Sequence, residues 1–217
     1  MASGLRSFFR RWVDPVMIDA AGFARVPEGY QRETGGTIQW ISYLTSRIDD
    51  GDYELHGDAK LALRVFRHYV ERPNSEYPVA PGTADPSGIV TFVLWSSPTS
   101  VFWRIGDAVD GSGELFQTFL RDKVVPFFDR FTDARSLADA AAAGPRALLP
   151  GRPIHNLDVF LAIALLQAGD YPGVLGALSR ALEREQKPNS LTDWLRDQAE
   201  AGLRGDPLPW QADQLEH

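Results

Sequence analysis

The chain has 217 residues, with 22 Lys and Arg against 29 Asp and Glu and a formal net charge of -7. A composition of 44% hydrophobic and 24% charged residues excludes a disordered or fibrous chain and is enough for one or two folded domains. The acidic balance disfavours non-specific nucleic-acid binding through bulk charge, and the absence of cysteine removes disulfides, thiol nucleophiles and thiolate metal sites together.

Leu5, Phe8, Phe9, Trp12, Val13, Val16 and Met17 recur at helical spacing, and this stripe reads as a helix docked on the protein's own core. Pro15 should kink or restart it. Arg6, Arg10 and Arg11 interrupt the apolar residues, so the continuous apolar region of a signal peptide is missing. The most apolar run, Val159 to Leu166, is far short of a membrane span. Both features predict a cytoplasmic protein without a membrane partner. Leu215-Glu216-His217 reads as the start of a purification tag, and 215–217 are set aside.

Gly22 closes the helical rhythm, and alternation begins at Phe23-Ala24-Arg25-Val26. Tyr30 to Thr34 and Thr37 to Ile48 flank Gly35-Gly36, the two-residue signature of a tight hairpin. In the second strand Ile38, Trp40, Ser42, Leu44 and Ile48 share the parity expected to face the core, with Gln39, Tyr43, Thr45 and Arg47 opposite. After the turn at Asp49 to Asp52, Tyr53, Leu55, Leu61, Leu63 and Val65 alternate with Glu54, His56, Asp58, Lys60, Arg64 and His68, predicting one buried and one wet face. Val70 to Gly88 carries Pro73, Pro78, Pro81 and Pro86 without periodicity and reads as a long loop. Ile89 to Trp95 and Val101 to Ile105 read as a second hairpin around 96–100.

Everything downstream reads as helix. Ser112 is the expected N-cap of a phenylalanine-rich helix through Phe131, with Pro126 kinking it. Ser136 to Ala143, Leu157 to Ala168, Pro172 to Glu185 and Ser190 to Leu203 follow. The expected fold is α+β: an antiparallel sheet covered on one face by helices, with a C-terminal all-helical extension. The expected division is 1–131 for the α+β body and 132–214 for the extension packed on it.

Two resemblances accompany this reading. Ala21-Gly22-Phe23-Ala24-Arg25, Tyr30-Gln31-Arg32-Glu33, the glycine turn and Ile38-Gln39-Trp40-Ile41 resemble the opening of the uncharacterised DUF4304 family. Phe102-Trp103-Arg104-Ile105 and Val125-Pro126-Phe127-Phe128 extend the likeness over roughly residues 12–131. It implies an α+β fold and no known activity. Leu161, Ala162, Leu165, Gly169-Asp170-Tyr171, Leu178 and Ala181 are spaced like one tetratricopeptide-like helical hairpin, with Asp158 and Val174 departing from the usual residue types.

Phosphate-loop, nucleophile-elbow and zincin motifs are absent from the sequence. His56 and His68, read as lying on one extended strand, would be about 40 Å apart and unable to share a metal. Asp49, Asp50 and Asp52 lack the spacing of a calcium loop. No catalytic residue, metal site or cofactor is assigned. One constellation remains: Gln39, Tyr43, Arg47, His56, Lys60, Arg64, His68 and Arg104 are all placed on the sheet face opposite the core, a basic and aromatic surface on an acidic protein. An ordinary solvated sheet face is the plain explanation. The functional explanation is a bacterial adaptor or immunity-like protein that docks a partner with an acidic surface, nucleic acid being the less favoured partner. The rival is an enzyme acting on an anionic or phosphorylated small substrate, with Arg64, Arg104 and His56 in a pocket beneath the proline-rich loop.

Overall fold

A computed structural model describes residues 3–27, 29–49, 52–72, 90–93, 103–106, 111–148, 157–184 and 189–212. The fold is α+β, with an antiparallel sheet covered on one face by helices and a helical C-terminal part. Residues 73–89, most of the long loop read over Val70 to Gly88, lie outside the described residues.

The N-terminal stripe folds as α1 (Ser3–Phe8), continued by π-helical turns at Phe9–Val13 and Pro15–Ala20. Proline has no amide hydrogen, so the helix around Pro15 cannot keep an unbroken i to i-4 ladder. The wider turns carry the chain past it. The same solution appears in the second phenylalanine-rich helix. There α3 (Ser112–Phe119) passes through a π-helical turn at Leu120–Val124 into α4 (Val125–Asp129), which holds Pro126. Gly111, at φ 73°, is the N-cap, and Ser112 begins the helix.

Strands β1 (Ala24–Val26), β2 (Gly29–Thr34), β3 (Thr37–Asp49) and β4 (Asp52–Leu63) are neighbours in sequence order. The Gly35-Gly36 turn forms as expected, with φ of 53° and 79°, the positive pair a two-residue hairpin turn requires. Among the described residues the second hairpin does not form. Strands β5 (Val90–Val93) and β6 (Trp103–Gly106) both pair antiparallel with β4, β5 at 58–61 and β6 at 52–55. Two strands antiparallel to the same third strand run parallel to each other, so they make one interrupted edge rather than a hairpin.

The alternation read through His68 also breaks. Strand β4 ends at Leu63 and α2 (Arg64–Val70) begins. Val65 completes the run Leu61, Leu63, Val65 and simultaneously opens a helical pair with Tyr69, so the strand period conceals the helix start. The Gln167 side-chain oxygen accepts from the Val65 amide at 2.8 Å, satisfying one of the orphan donors at that helix start. His68 therefore sits on a helix, and the 40 Å strand separation from His56 does not apply.

The chain divides into two compact units. One comprises Met1–Glu33, Ile38–Leu61 and Val90–Arg130; the other comprises Thr34–Thr37, Ala62–Ile89 and Phe131–His217. The hairpin tip 34–37 and the segment beginning at Ala62 thus group with the helical part, whereas the sequence assigns them to the body.

In the first unit Phe9, Val13, Met17, Phe116, Leu120, Val124 and Phe128 are buried beneath the helix layer, with Tyr30, Ile41, Leu55 and Ile105 buried in the sheet. In the second, α7 (Leu157–Gln167) is buried over nine consecutive residues, Asp158 to Leu166. It is surrounded by α2, α5 (Ala134–Ala143), α8 (Tyr171–Glu183) and α9 (Ser190–Arg204). A helix enclosed on several sides has no wet stripe to show. Short helices α6 (Pro145–Leu148) and α10 (Pro209–Ala212) complete the set.

The positive-φ glycines separate two costs. Ala at Gly22, φ 71° with open space around its Cβ, should lose about 1–2 kcal/mol from the left-handed backbone alone. At Gly35 a Cβ would also fall 2.4 Å from the Thr132 carbonyl oxygen. Urea denaturation should therefore rank Gly35→Ala clearly below Gly22→Ala in stability, and equal losses would contradict the packing around the hairpin tip.

Candidate functional site

The eight residues singled out from the sequence do not share one face. Gln39 is fully buried, donating from Nε2 to the Phe128 carbonyl at 2.8 Å and accepting from Arg32 Nε at 2.7 Å. Tyr43 is half-buried on the helix-covered side, its ring 4.4 Å from Phe9. These two belong to the inner layer, contrary to the expected parity. At 37–41 both faces of β3 are buried, Ile38 and Trp40 on one side, Gln39 and Ile41 on the other, so polarity does not sort the strand. Ile48, assigned to the core by parity, is 38% exposed.

Arg47 is exposed near the end of β3, and Arg104 is exposed on β6 opposite Glu54, its Nη2 3.6 Å from Asp52 Oδ2. Lys60 and Arg64 are half-buried rather than exposed, and both engage neighbouring groups. The His56 side chain lies outside the described residues. His68 packs 6.4 Å from the Trp194 ring and 6.2 Å from Trp210. With Tyr69 bonded to Ser190 at 2.6 Å and Arg72 over Trp194 at 5.7 Å, it belongs to the aromatic seam joining α2, α9 and α10. Arg64 and His68 fall in the second unit and the other six in the first.

The first unit holds polar residues that the sequence reading passed over. Arg32 reaches Gln39 in β3, the Ala21 carbonyl at 2.7 Å and Asp129 at 2.8 Å, while its guanidinium carbon lies 4.7 Å from the Phe23 ring centre. Its side chain is only 18% exposed. A second cluster joins the N-terminal helix to β1 and β2. Asp14 Oδ1 accepts from Arg25 at 2.6 Å and from the Tyr30 hydroxyl at 2.7 Å. Burial pushes the Tyr30 phenol far above its ordinary range, and burial also raises Tyr43.

Beside this cluster lies a pocket of about 250 Å³ including its open mouth, lined by Phe9, Met17, Ile41, Tyr43, Leu55 and Phe116 among others. Its interior has room for about one water molecule, far below typical small-molecule sites, and its lining is apolar apart from the phenols. Its chemistry is packing. Among the described residues no three His, Asp or Glu side chains gather around a possible metal position, and no helix is long and apolar enough to cross a membrane.

The buried phenol has a pH consequence. A raised phenol pKa means that above the ordinary tyrosine range the folded state holds a proton that the unfolded chain has lost, so stability falls as pH rises. Denaturation midpoints measured from pH 9 to 11.5 should decline for the native chain and decline less for Tyr30→Phe. Parallel declines would contradict the buried, Asp14-bonded hydroxyl. Compared with known proteins, the chain matches no family model, no curated protein and no solved structure.

Proposed function

We propose that the chain is a non-enzymatic protein-interaction module, adaptor-like or immunity-like, that docks the acidic surface of a partner protein. The resemblance of roughly residues 12–131 to the uncharacterised DUF4304 family forms part of this reading and brings no activity with it. The docking surface is narrower than the eight residues suggested by the sequence. It centres on the end of the sheet where β3 turns into β4.

The supporting observation is the grouping of exposed side chains there. Arg47 and Ile48 sit at the end of β3, β4 begins at Asp52, and Arg104 stands opposite the third residue of β4. Two cations and an exposed aliphatic side chain thus occupy one sheet end on a chain whose net charge is -7. Arg104 is 53% exposed and its contact with Asp52 is long. Asp52 is itself only 10% exposed, so a partner carboxylate would join the exposed side of the Arg104 guanidinium rather than displace Asp52. Gln39, Tyr43 and His68 leave the proposed surface, because their side chains pack internally.

Affinity capture from the source organism, with native chain and Arg47→Glu/Arg104→Glu side by side, tests this. The native chain should retain an acidic protein that elutes with added salt, and the double variant should not retain it. Arg47→Glu alone, at an exposed site, should change stability by no more than about 0.5 kcal/mol. Equal capture by both chains, or a steep fall in melting temperature for Arg47→Glu alone, contradicts the proposal.

A further inference from the structure

Helix α7 carries a carboxylate where its other buried residues are apolar. Asp158 is 7% exposed, yet both its oxygens are taken up: Oδ1 accepts from Arg180 Nε at 3.2 Å and Oδ2 from Arg184 Nη1 at 2.8 Å. Arg180 stands in the last turn of α8 and Arg184 is its C-cap, four residues on, and they remain 47% and 65% exposed. This explains the departure from the tetratricopeptide-like pattern at position 158.

Stability is a poor reason for the arrangement. Burying a carboxylate carries a desolvation penalty, and an apolar side chain of similar size commonly does as well or better. What the carboxylate does achieve is orientation. Each guanidinium has five N–H donors in a rigid fork, and each gives one to Asp158. Arg180 keeps its Nη1–Nη2 edge and Arg184 its Nε–Nη2 edge, and neither makes another hydrogen bond among the described residues.

We infer that Arg180 and Arg184, held from beneath by Asp158, form a binding site for a phosphoryl group. Two fixed two-donor edges match the several oxygens of a phosphate better than the two of a carboxylate. The site lies within the second unit and does not depend on the docking surface at the β3–β4 end of the sheet.

The test exploits the sign of one substitution. Asp158→Asn removes a negative charge beneath two cations, so a site acting by charge alone would bind anions more tightly. A site acting by orientation loses affinity. Arginine Nε–H signals are followed by NMR while inorganic phosphate is added to the full chain at fixed ionic strength, with acetate as the carboxylate arm. Saturable shifts of Arg180 and Arg184 with phosphate, weaker with acetate, and about fivefold or greater loss of phosphate affinity in Asp158→Asn are expected. Should Asp158→Asn fail to fold, Arg184→Lys keeps the charge without the fork and should lose affinity likewise. Three results would overturn the site: no saturation, shifts equal to those of exposed arginines such as Arg121, or tighter binding by Asp158→Asn.

Discussion

The first unit depends on one guanidinium. Arg32 projects from β2 beneath the helix layer and ties four places together: β3 through Gln39, the end of the N-terminal helix through the Ala21 carbonyl, α4 through Asp129, and the Phe23 ring. Gln39 completes the junction by donating to the Phe128 carbonyl. A buried cation is tolerated only when its donors are satisfied, and here the partners come from both covering helices and the sheet. The network therefore specifies how helices lie on strands, which apolar packing, being non-directional, leaves loosely determined.

The two covering helices meet this junction at their C-terminal ends, at Ala21 and at Phe128-Asp129. Each contains a proline and each carries π-helical turns next to it. Widening a turn shifts every later side chain around the helix axis. The prolines thus act on which residues reach the sheet, and Arg32 binds at the position where that shift has accumulated. In the second unit the corresponding directional contact is Asp158 with Arg180 and Arg184, which joins α7 to α8 along a seam otherwise made by Leu161, Ala162, Val174, Leu178 and Ala181.

Helix positions were legible in the sequence because their signals are local. Asp133, Asp170 and Asn189 cap α5, α8 and α9 with their side chains, and the apolar spacing of 157–203 needs no distant partner to be read. The Gly35-Gly36 hairpin was legible for the same reason. That turn also held information that parity alone obscured: a two-residue turn pairs Thr34 with Thr37 and hence Arg32 with Gln39, which places both on one face. Treating Gln39 as a wet-face residue ignored its partner. The interrupted edge strand and the start of α2 were hidden for a different reason. Pairing of β5 and β6 with β4 is non-local, and Val65 satisfies the strand and helix periods at once. A surface inferred from strand parity inherits each of these errors, which is why only Arg47 and Arg104 of the eight candidates carry the proposed docking surface.

A double-mutant cycle on Arg32 and Gln39 tests the central claim most directly. Arg32→Met, Gln39→Leu and the double variant are compared with the native chain by urea denaturation. Each single change strands a buried polar partner, whereas the double change removes both sides of the shared bond. The account predicts that the double variant loses less than the sum of the singles, with a coupling of about 1–3 kcal/mol. Additivity within about 0.5 kcal/mol would mean that the two residues act independently, and that the helix layer is positioned by apolar packing alone.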